Sequence, residues 1–258
     1  MIGILKRALA RLDIAVIRHS TLHELERSRN CADDLSFLCD MRRTSAASLL
    51  DWLGRSKSQN RQDLFVLAEL GFPSRGYFVE FGATDGVHGS NSCLMERDFG
   101  WRGIVAEPAR CWHQQLRANR SCAIDTSCVW RESGSTLQFI EVEQFPALST
   151  LTQFRHADPW SRARNHARSY EVATVSLRDL LVRHGAPREI DYLSIDTEGS
   201  ELEILRSFNF EEYRIRIITC EHNYMPAREE IHALLKRHGY ERKFESHSKY
   251  DDWYVLGI

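Results

Sequence analysis

From about Tyr77 onward, short β-rich apolar runs alternate with stretches of helical spacing, the pattern of a parallel sheet covered by helices. Tyr77-Phe-Val-Glu-Phe is a strand that stops at Gly82, and Arg102-Gly-Ile-Val-Ala-Glu is a second that stops at Glu107-Pro108. Cys111 to Asn119 reads as a helix, and Cys122-Ala-Ile-Asp as the tip of a third strand. Leu137–Val142 and Val172–Ser176 are further strand candidates, and Leu177–Arg183 is a helix closed by Gly185. Asp191-Tyr-Leu-Ser-Ile-Asp is a nearly continuous apolar strand leading through Thr197-Glu-Gly-Ser into a helix from Glu201 to Leu205. Ile215–Glu221 is a strand and Arg228–His238 a helix with Ile231, Leu234 and Leu235 on its apolar side. Tyr240–Phe244 and Trp253–Ile258 read as a closing pair at the sheet edge.

Up to about Asn60 the chain is polar and helical in pattern, with runs such as Ser20-Thr-Leu-His-Glu-Leu-Glu-Arg. The expected division is an N-terminal helical extension, residues 1–55, and an α/β domain, residues 56–258. Ile4, Leu5, Leu9 and Leu12 follow helical spacing, with Lys6, Arg7 and Arg11 largely on the other side. The expectation is a helix packed on its own domain; the alternative is a basic amphipathic helix resting on a membrane surface. The segment Ser149–Tyr170 is polar and irregular, as lids and substrate walls often are. Its His156, Trp160, Arg162 and Arg164 are candidates to frame a sugar or an anionic carrier.

Composition narrows the classes. The 258 residues are 43% hydrophobic and 27% charged, ordinary values for a globular α/β chain. With 34 basic against 36 acidic residues, a nucleic-acid footprint would have to be local, and no nucleic-acid partner is expected. Lys6, Arg7, Arg11 and Asp13 interrupt the only stretch resembling a signal peptide, and no run approaches the ~20 apolar residues of a membrane span. Seven cysteines, odd in number and without a C-x-x-C pair, suit buried reduced thiols and a cytoplasmic location, with membrane association as the alternative.

Candidate chemistry gathers where strands end. In Val79-Glu-Phe-Gly-Ala-Thr-Asp-Gly-Val-His-Gly, a glycine turn ends the first strand, the place where doubly wound sheets bind nucleotides. Thr84 replaces the middle glycine of a dinucleotide fingerprint, which suits a ligand without pyrophosphate such as S-adenosylmethionine. Glu80 is a candidate acceptor for that ligand's amino group. Glu107, about twenty residues on, is placed to accept two ribose hydroxyls. Asp125 is a candidate partner for an adenine amino group, or a plain turn residue. Asp196 and Glu198 end a buried strand, and acids there need a partner: a sulfonium, an acceptor hydroxyl or a metal. Their alternative role is to cap the Glu201 helix. Glu221 and His222 share the same rim, with His222 the natural general base for a hydroxyl. Asp196, Glu221 and His222 could instead hold a divalent cation of the Mg²⁺ type.

Ser58-Gln-Asn-Arg-Gln-Asp-Leu-Phe, Phe78-Val-Glu-Phe-Gly-Ala-Thr-Asp-Gly, Gly103-Ile-Val-Ala-Glu-Pro, Asp191 to Leu205, Cys220-Glu-His-Asn and Asp251-Asp-Trp-Tyr-Val occur in that order. Together they resemble the FkbM family of methyltransferases, from roughly Ser56 to the C-terminus. The resemblance implies a Rossmann-like class I methyltransferase fold, an α/β architecture with a mostly parallel seven-stranded sheet, helices on both faces and an antiparallel last hairpin. It implies S-adenosylmethionine as donor and O-methylation of a sugar, surface-glycan or natural-product hydroxyl. Cofactor positions would fall on Glu80, Gly82, Asp85, Glu107 and Asp196, with Gly86 and Asn91 of the same loop beside them. In the expected reaction, His222 or Asp196 takes the acceptor proton, with Glu198 and Glu221 alongside. The Ile14–Leu22 lead is similar to that of relatives linked to bacterial surface polysaccharides. A nicotinamide-dependent oxidoreductase shares the glycine turn and Glu107 but lacks the second glycine and a Tyr-x-x-x-Lys pair. A non-catalytic scaffold is the other rival.

Overall fold

The apolar runs pair into one large sheet. The computed structural model describes residues 19–41, 43–165 and 167–257. These fall into two units, one up to Leu53 and one from Gly54 onward. In the first, His19–Asp40 and Arg43–Leu50 are helices that contact each other. The reading of Ile4 to Leu12 as an amphipathic helix lies outside the described residues. No described helix is long and apolar enough to cross a membrane.

The second unit carries, in chain order, β1 (Tyr77–Phe81), β2 (Arg102–Ala106), β3 (Ala123–Asp125), β4 (Cys128–Trp130), β5 (Thr136–Val142) and β6 (Thr150–Leu151). There follow β7 (Ala167–Ser176), β8 (Glu189–Ile195), β9 (Arg214–Glu221), β10 (Tyr240–Lys243) and β11 (Asp251–Leu256). Among the described residues seven strands form the main sheet, in the order β10-β11-β9-β8-β1-β2-β3. β3, β2, β1, β8 and β9 run parallel, whereas β11 lies antiparallel to both β9 and β10. This is the class I methyltransferase architecture, mixed rather than purely parallel because of β11.

The central strands are apolar throughout because both of their faces are covered. Val79, Phe81, Leu193, Ile195 and Ile218 pack with Leu180 and Leu181, Leu202 to Leu205, and Ile231 to Leu235 from three helices. On the other side Trp253 stacks on Phe65 of the helix Gln62–Glu69, ring centroids 4.7 Å apart, while the next residue, Tyr254, joins the first layer. The helix Leu177–Arg183 begins where Ser176 accepts a hydrogen bond from Asp179 N–H. It ends where Gly185, at φ 61°, donates to Val182 and Ala186 donates to Leu181, the paired bonds of a Schellman stop.

A second sheet, order β4-β7-β5-β6, follows the main sheet's third strand and is not foreshadowed by the sequence pattern. Its β4 and β6 have three and two residues, too short for a period-2 signal. The polar stretch expected as one irregular loop contains β6, two 3-10 segments and the start of β7. The cysteines also differ from expectation: Cys93, Cys128 and Cys220 are buried, but Cys31, Cys39 and Cys111 are exposed. All seven are free thiols.

Candidate active site

Strand order reverses between β1, which is followed by β2, and β8. At such a switch point the loops leave in opposite directions and open a crevice outside the carboxyl ends of the strands. A cavity of 310 Å³ occupies that position. Phe81 and Gly82 line it from β1, Ala106 and Glu107 from β2, Asp196 to Glu198 from the end of β8, and Glu221 from β9. The second sheet supplies an apolar wall of Val129, Phe139 and Leu151, and the strap after it adds Ser149 and Trp160.

Gly82 sits at the crossing. Its φ is 72°, and a Cβ there would lie 1.9 Å from the Asp196 carbonyl oxygen. The two loops therefore touch backbone to backbone. Glu107 is buried, accepting the Thr84 N–H on one carboxylate oxygen at 2.8 Å and the Ala109 N–H on the other at 2.8 Å. Burial pushes its pKa up to about 7, against the pull of those two bonds. Each oxygen keeps a second lone pair, and Glu107 lines the cavity. Thr84, Glu198 and Asn223 hold positive φ at 48°, 59° and 43°, and all three line the cavity. Left-handed backbone at residues with side chains is costly and tends to collect at working sites.

Not every expected residue reaches the cavity. Glu80 lies beneath the glycine loop, accepting from Ser90 Oγ (3.0 Å), Asn91 N–H (2.6 Å) and Ser92 Oγ (2.5 Å). Arg120, itself buried, adds a fourth contact at 3.5 Å. The carboxylate is thus spent on shaping the loop, not on a ligand amine. Asp85 caps the same loop through Val87 N–H and His88 N–H, and Gly86 packs against Arg120 and Leu116. Asn91 donates to Ser194 Oγ at 2.9 Å. Asp125 turns toward the end of the Leu177–Arg183 helix, bonding Arg183 at 2.8 Å and His184 at 2.9 Å, so it is not free for an adenine.

His222 is also off the cavity. Its Nε2 donates to the Asp251 carbonyl at 3.0 Å and its Nδ1 accepts from Tyr224 N–H at 2.9 Å. Burial lowers its pKa below the usual imidazole value. With both ring nitrogens engaged by backbone, it has no site for an acceptor's proton. Its place on the strand-tip rim makes it the expected base; the ring instead pins the β9 exit to β11. The acids Asp196, Glu198 and Glu221 do converge: one oxygen of each lies within 4.8 Å of the others. Burial raises the pKa of all three above the carboxylate range, reinforced for Glu198 and Glu221 by Asp196 and for Asp196 by Asp251. The alternative capping role falls to Glu201, which accepts from Thr197 N–H and Gly199 N–H.

Arg164 is fully buried, not a surface group framing a substrate. It ties the strap to the strand tip, donating to Leu148 O (2.8 Å), Asp158 (2.7 Å) and Glu198 (2.7 Å). His156 and Arg162 are exposed and away from the cavity lining.

The structure gives work to two motifs whose role the sequence left open. Asp63, wholly buried, accepts from Ser56 Oγ at 2.7 Å and from Lys57 N–H and Leu64 N–H. Gln62 donates to Asp251 on β11, and Asn60 to Ser248 O. Ser58 bridges to Gly89 of the glycine loop. This belt holds Gln59 at the cavity, a residue sequence reasoning passed over along with Asn223 and Tyr250. Asp63→Ala should cost about 2–3 kcal/mol, because it strands several buried donors. Urea unfolding measures this, and a loss below half a kcal/mol would remove the belt's structural role.

The family comparison decides what this site belongs to. The Methyltransferase FkbM domain family matches residues 80–242, from β1 into β10. The chain belongs to the FkbM methyltransferase family. Methyltransferase FkbM from Methylobacillus flagellatus is 15% identical over 88% of this chain and 59% of that one, with a TM-score of 0.47. A precorrin-6y C5,15-methyltransferase from Geobacter metallireducens is 13% identical over 70% of this chain and 71% of that one, TM-score 0.38. No curated protein matches. Within this FkbM chain the matched span covers Gly82, Glu107, Asp196 and Glu221, and leaves the Ser56–Asp63 belt and β11 outside.

Proposed function

We propose that this chain is an S-adenosylmethionine-dependent O-methyltransferase acting on a hydroxyl of a sugar, surface glycan or natural product. The observation that carries it is the pairing of Glu107 and Gly82 at a switch-point cavity whose far end is acidic. The residues fit the donor's parts. Glu107 has lone pairs for two ribose hydroxyls, Val129, Phe139 and Leu151 suit an aromatic base, and the carboxylates suit a cation. A volume of 310 Å³ falls within the range of small-molecule sites, roughly 300–1,000 Å³. When bound, S-adenosylmethionine supplies an electrophilic methyl group on a positively charged sulfur.

The chain's own part is placement and proton removal. Holding two reactants in line supplies up to about 7–11 kcal/mol of the barrier. Asp196 lines the cavity and has no cationic partner among the described residues, so we assign the hydroxyl proton to its carboxylate. Trp160, 44% exposed, and Tyr250 give the open side flat aromatic faces of the kind that lie against sugar rings.

Calorimetric titration with S-adenosylhomocysteine, followed by a methyl-transfer screen against glycans, tests this reading; absence of binding by folded protein removes it. The pH dependence is diagnostic. Hydroxyls donate to ionised Glu107, so binding favours the carboxylate, whereas the free protein holds a proton there below about 7. Affinity should therefore rise with pH up to about 7 and then level, with one proton released on binding below that point. Glu107→Gln should bind more weakly and lose this slope; an unchanged slope would assign it to another group. In the unliganded protein the sign is opposite. The raised pKa stabilises the fold most below the ordinary glutamate value, and this contribution fades as pH climbs to about 7.

A further inference from the structure

One end of the cavity gathers more carboxyl groups than the chain pairs with cations. One oxygen each of Asp196, Glu198 and Glu221 lies within 4.8 Å of the others. Opposite oxygens around Mg²⁺ lie ~4.2 Å apart and around Ca²⁺ ~4.8 Å, so this spacing suits a single hard ion. Arg164 reaches Glu198 through Oε2 alone, and among the described residues no cationic side chain pairs with Asp196 or Glu221. One guanidinium thus meets three carboxyl groups, and Asp196 and Glu221, crowded together in the interior, share a hydrogen bond with each other. The acids nearby are engaged elsewhere, Glu201 by Thr197 and Gly199, Asp251 by Gln62.

Asn223 is the independent sign. It lines the same cavity and is 7% exposed. Its backbone N–H is bound to Tyr250 O, but its side-chain carboxamide has no hydrogen-bond partner among the described residues. Its amide atoms are not sealed inside the protein, so the open cavity is where a ligand would meet them. Its carbonyl oxygen is the neutral donor that hard cations accept beside carboxylates. Soft metals prefer sulfur or imidazole. Cys128 lines the cavity from the second sheet, but the converging cluster holds neither cysteine nor histidine.

We infer that Asp196, Glu198, Glu221 and the Asn223 carboxamide form a site for one hard divalent cation of the Mg²⁺ or Mn²⁺ type. The ion site stands independently of the methyl-transfer reading above. His222, expected among the ligands from sequence, is replaced by Glu198.

The test uses the full chain stripped with EDTA and titrated with Mn²⁺ alone, free ion being followed by electron paramagnetic resonance. One Mn²⁺ per chain is expected, displaced by Mg²⁺. Asp196→Asn and Glu221→Gln should each weaken it at least about tenfold, the size of loss that even outer-shell changes cause. Asn223→Ala should weaken it a few-fold, and Glu107→Gln not at all. Should one variant fail to fold, the others carry the comparison. Lack of saturable Mn²⁺ binding by wild type, or wild-type affinity in both carboxylate variants, overturns the site. S-adenosylhomocysteine titrated in EDTA separates the two readings. Binding there without Mn²⁺ affinity removes the ion and spares methyl transfer, and the converse removes the donor and spares the ion.

Discussion

Gly82→Ala is expected to abolish S-adenosylhomocysteine binding and to destabilise the fold by at least about 3 kcal/mol. Two effects add. A φ of 72° is costly for any side chain, and the new Cβ would fall 1.9 Å from the Asp196 carbonyl oxygen. That oxygen belongs to backbone and cannot rotate away. Relief requires β1 and β8 to separate at their carboxyl ends, which widens the cavity where Glu107 and Asp196 must both reach one ligand. Affinity should fall more than about 100-fold, equivalent to roughly 2.7 kcal/mol. Chemical unfolding and calorimetry read the two losses separately, and a variant that keeps near-native affinity would show that the loops need not touch.

Arg164→Met should be the most destabilising change outside the cavity. It leaves Asp158 and Glu198 buried without their cation and Leu148 O without its donor. Breaking one side of a buried ion pair costs about 3–5 kcal/mol. At about 2–4 °C per kcal/mol for a domain of this size, Tm should drop by roughly 6–20 °C. The strap should also become an early site of proteolysis. Adding Glu198→Gln to Arg164→Met should restore part of the loss, since the second change removes an uncompensated charge. Strictly additive penalties in that double-mutant cycle would mean the two residues are not coupled.

The parts of this architecture legible in the sequence are those where local pattern and tertiary role coincide. β1, β2, β8 and β9 are apolar runs because both faces are covered, and each ends in the glycine or acid that marks a strand tip. Glu107 was legible for the same reason, being the acid next after such a run. Residues whose role depends on distant partners were not. Arg164 sits in a polar segment and reads as solvated surface, yet its partners are 6, 16 and 34 residues away. Gln62 and Asp251 are separated by 189 residues. Glu80 and Asp125 stand at strand tips like Glu107, and nothing local says that Ser90 to Ser92 or Arg183 and His184 will claim them. His222 misled because an imidazole on a strand-tip rim reads as a general base, while the backbone groups that occupy it are invisible in the letters.

The position of β11 has a kinetic corollary. It lies between β9 and β10, both of which precede it in the chain, so those two strands wait side by side for a late arrival. Asp251 then locks to Gln62 and, through its carbonyl, to His222. Pairings between such remote segments are slow to form. The belt that brings Gln59 to the cavity is therefore completed last, and competence to hold a ligand should emerge in refolding together with the final amplitude, not before it.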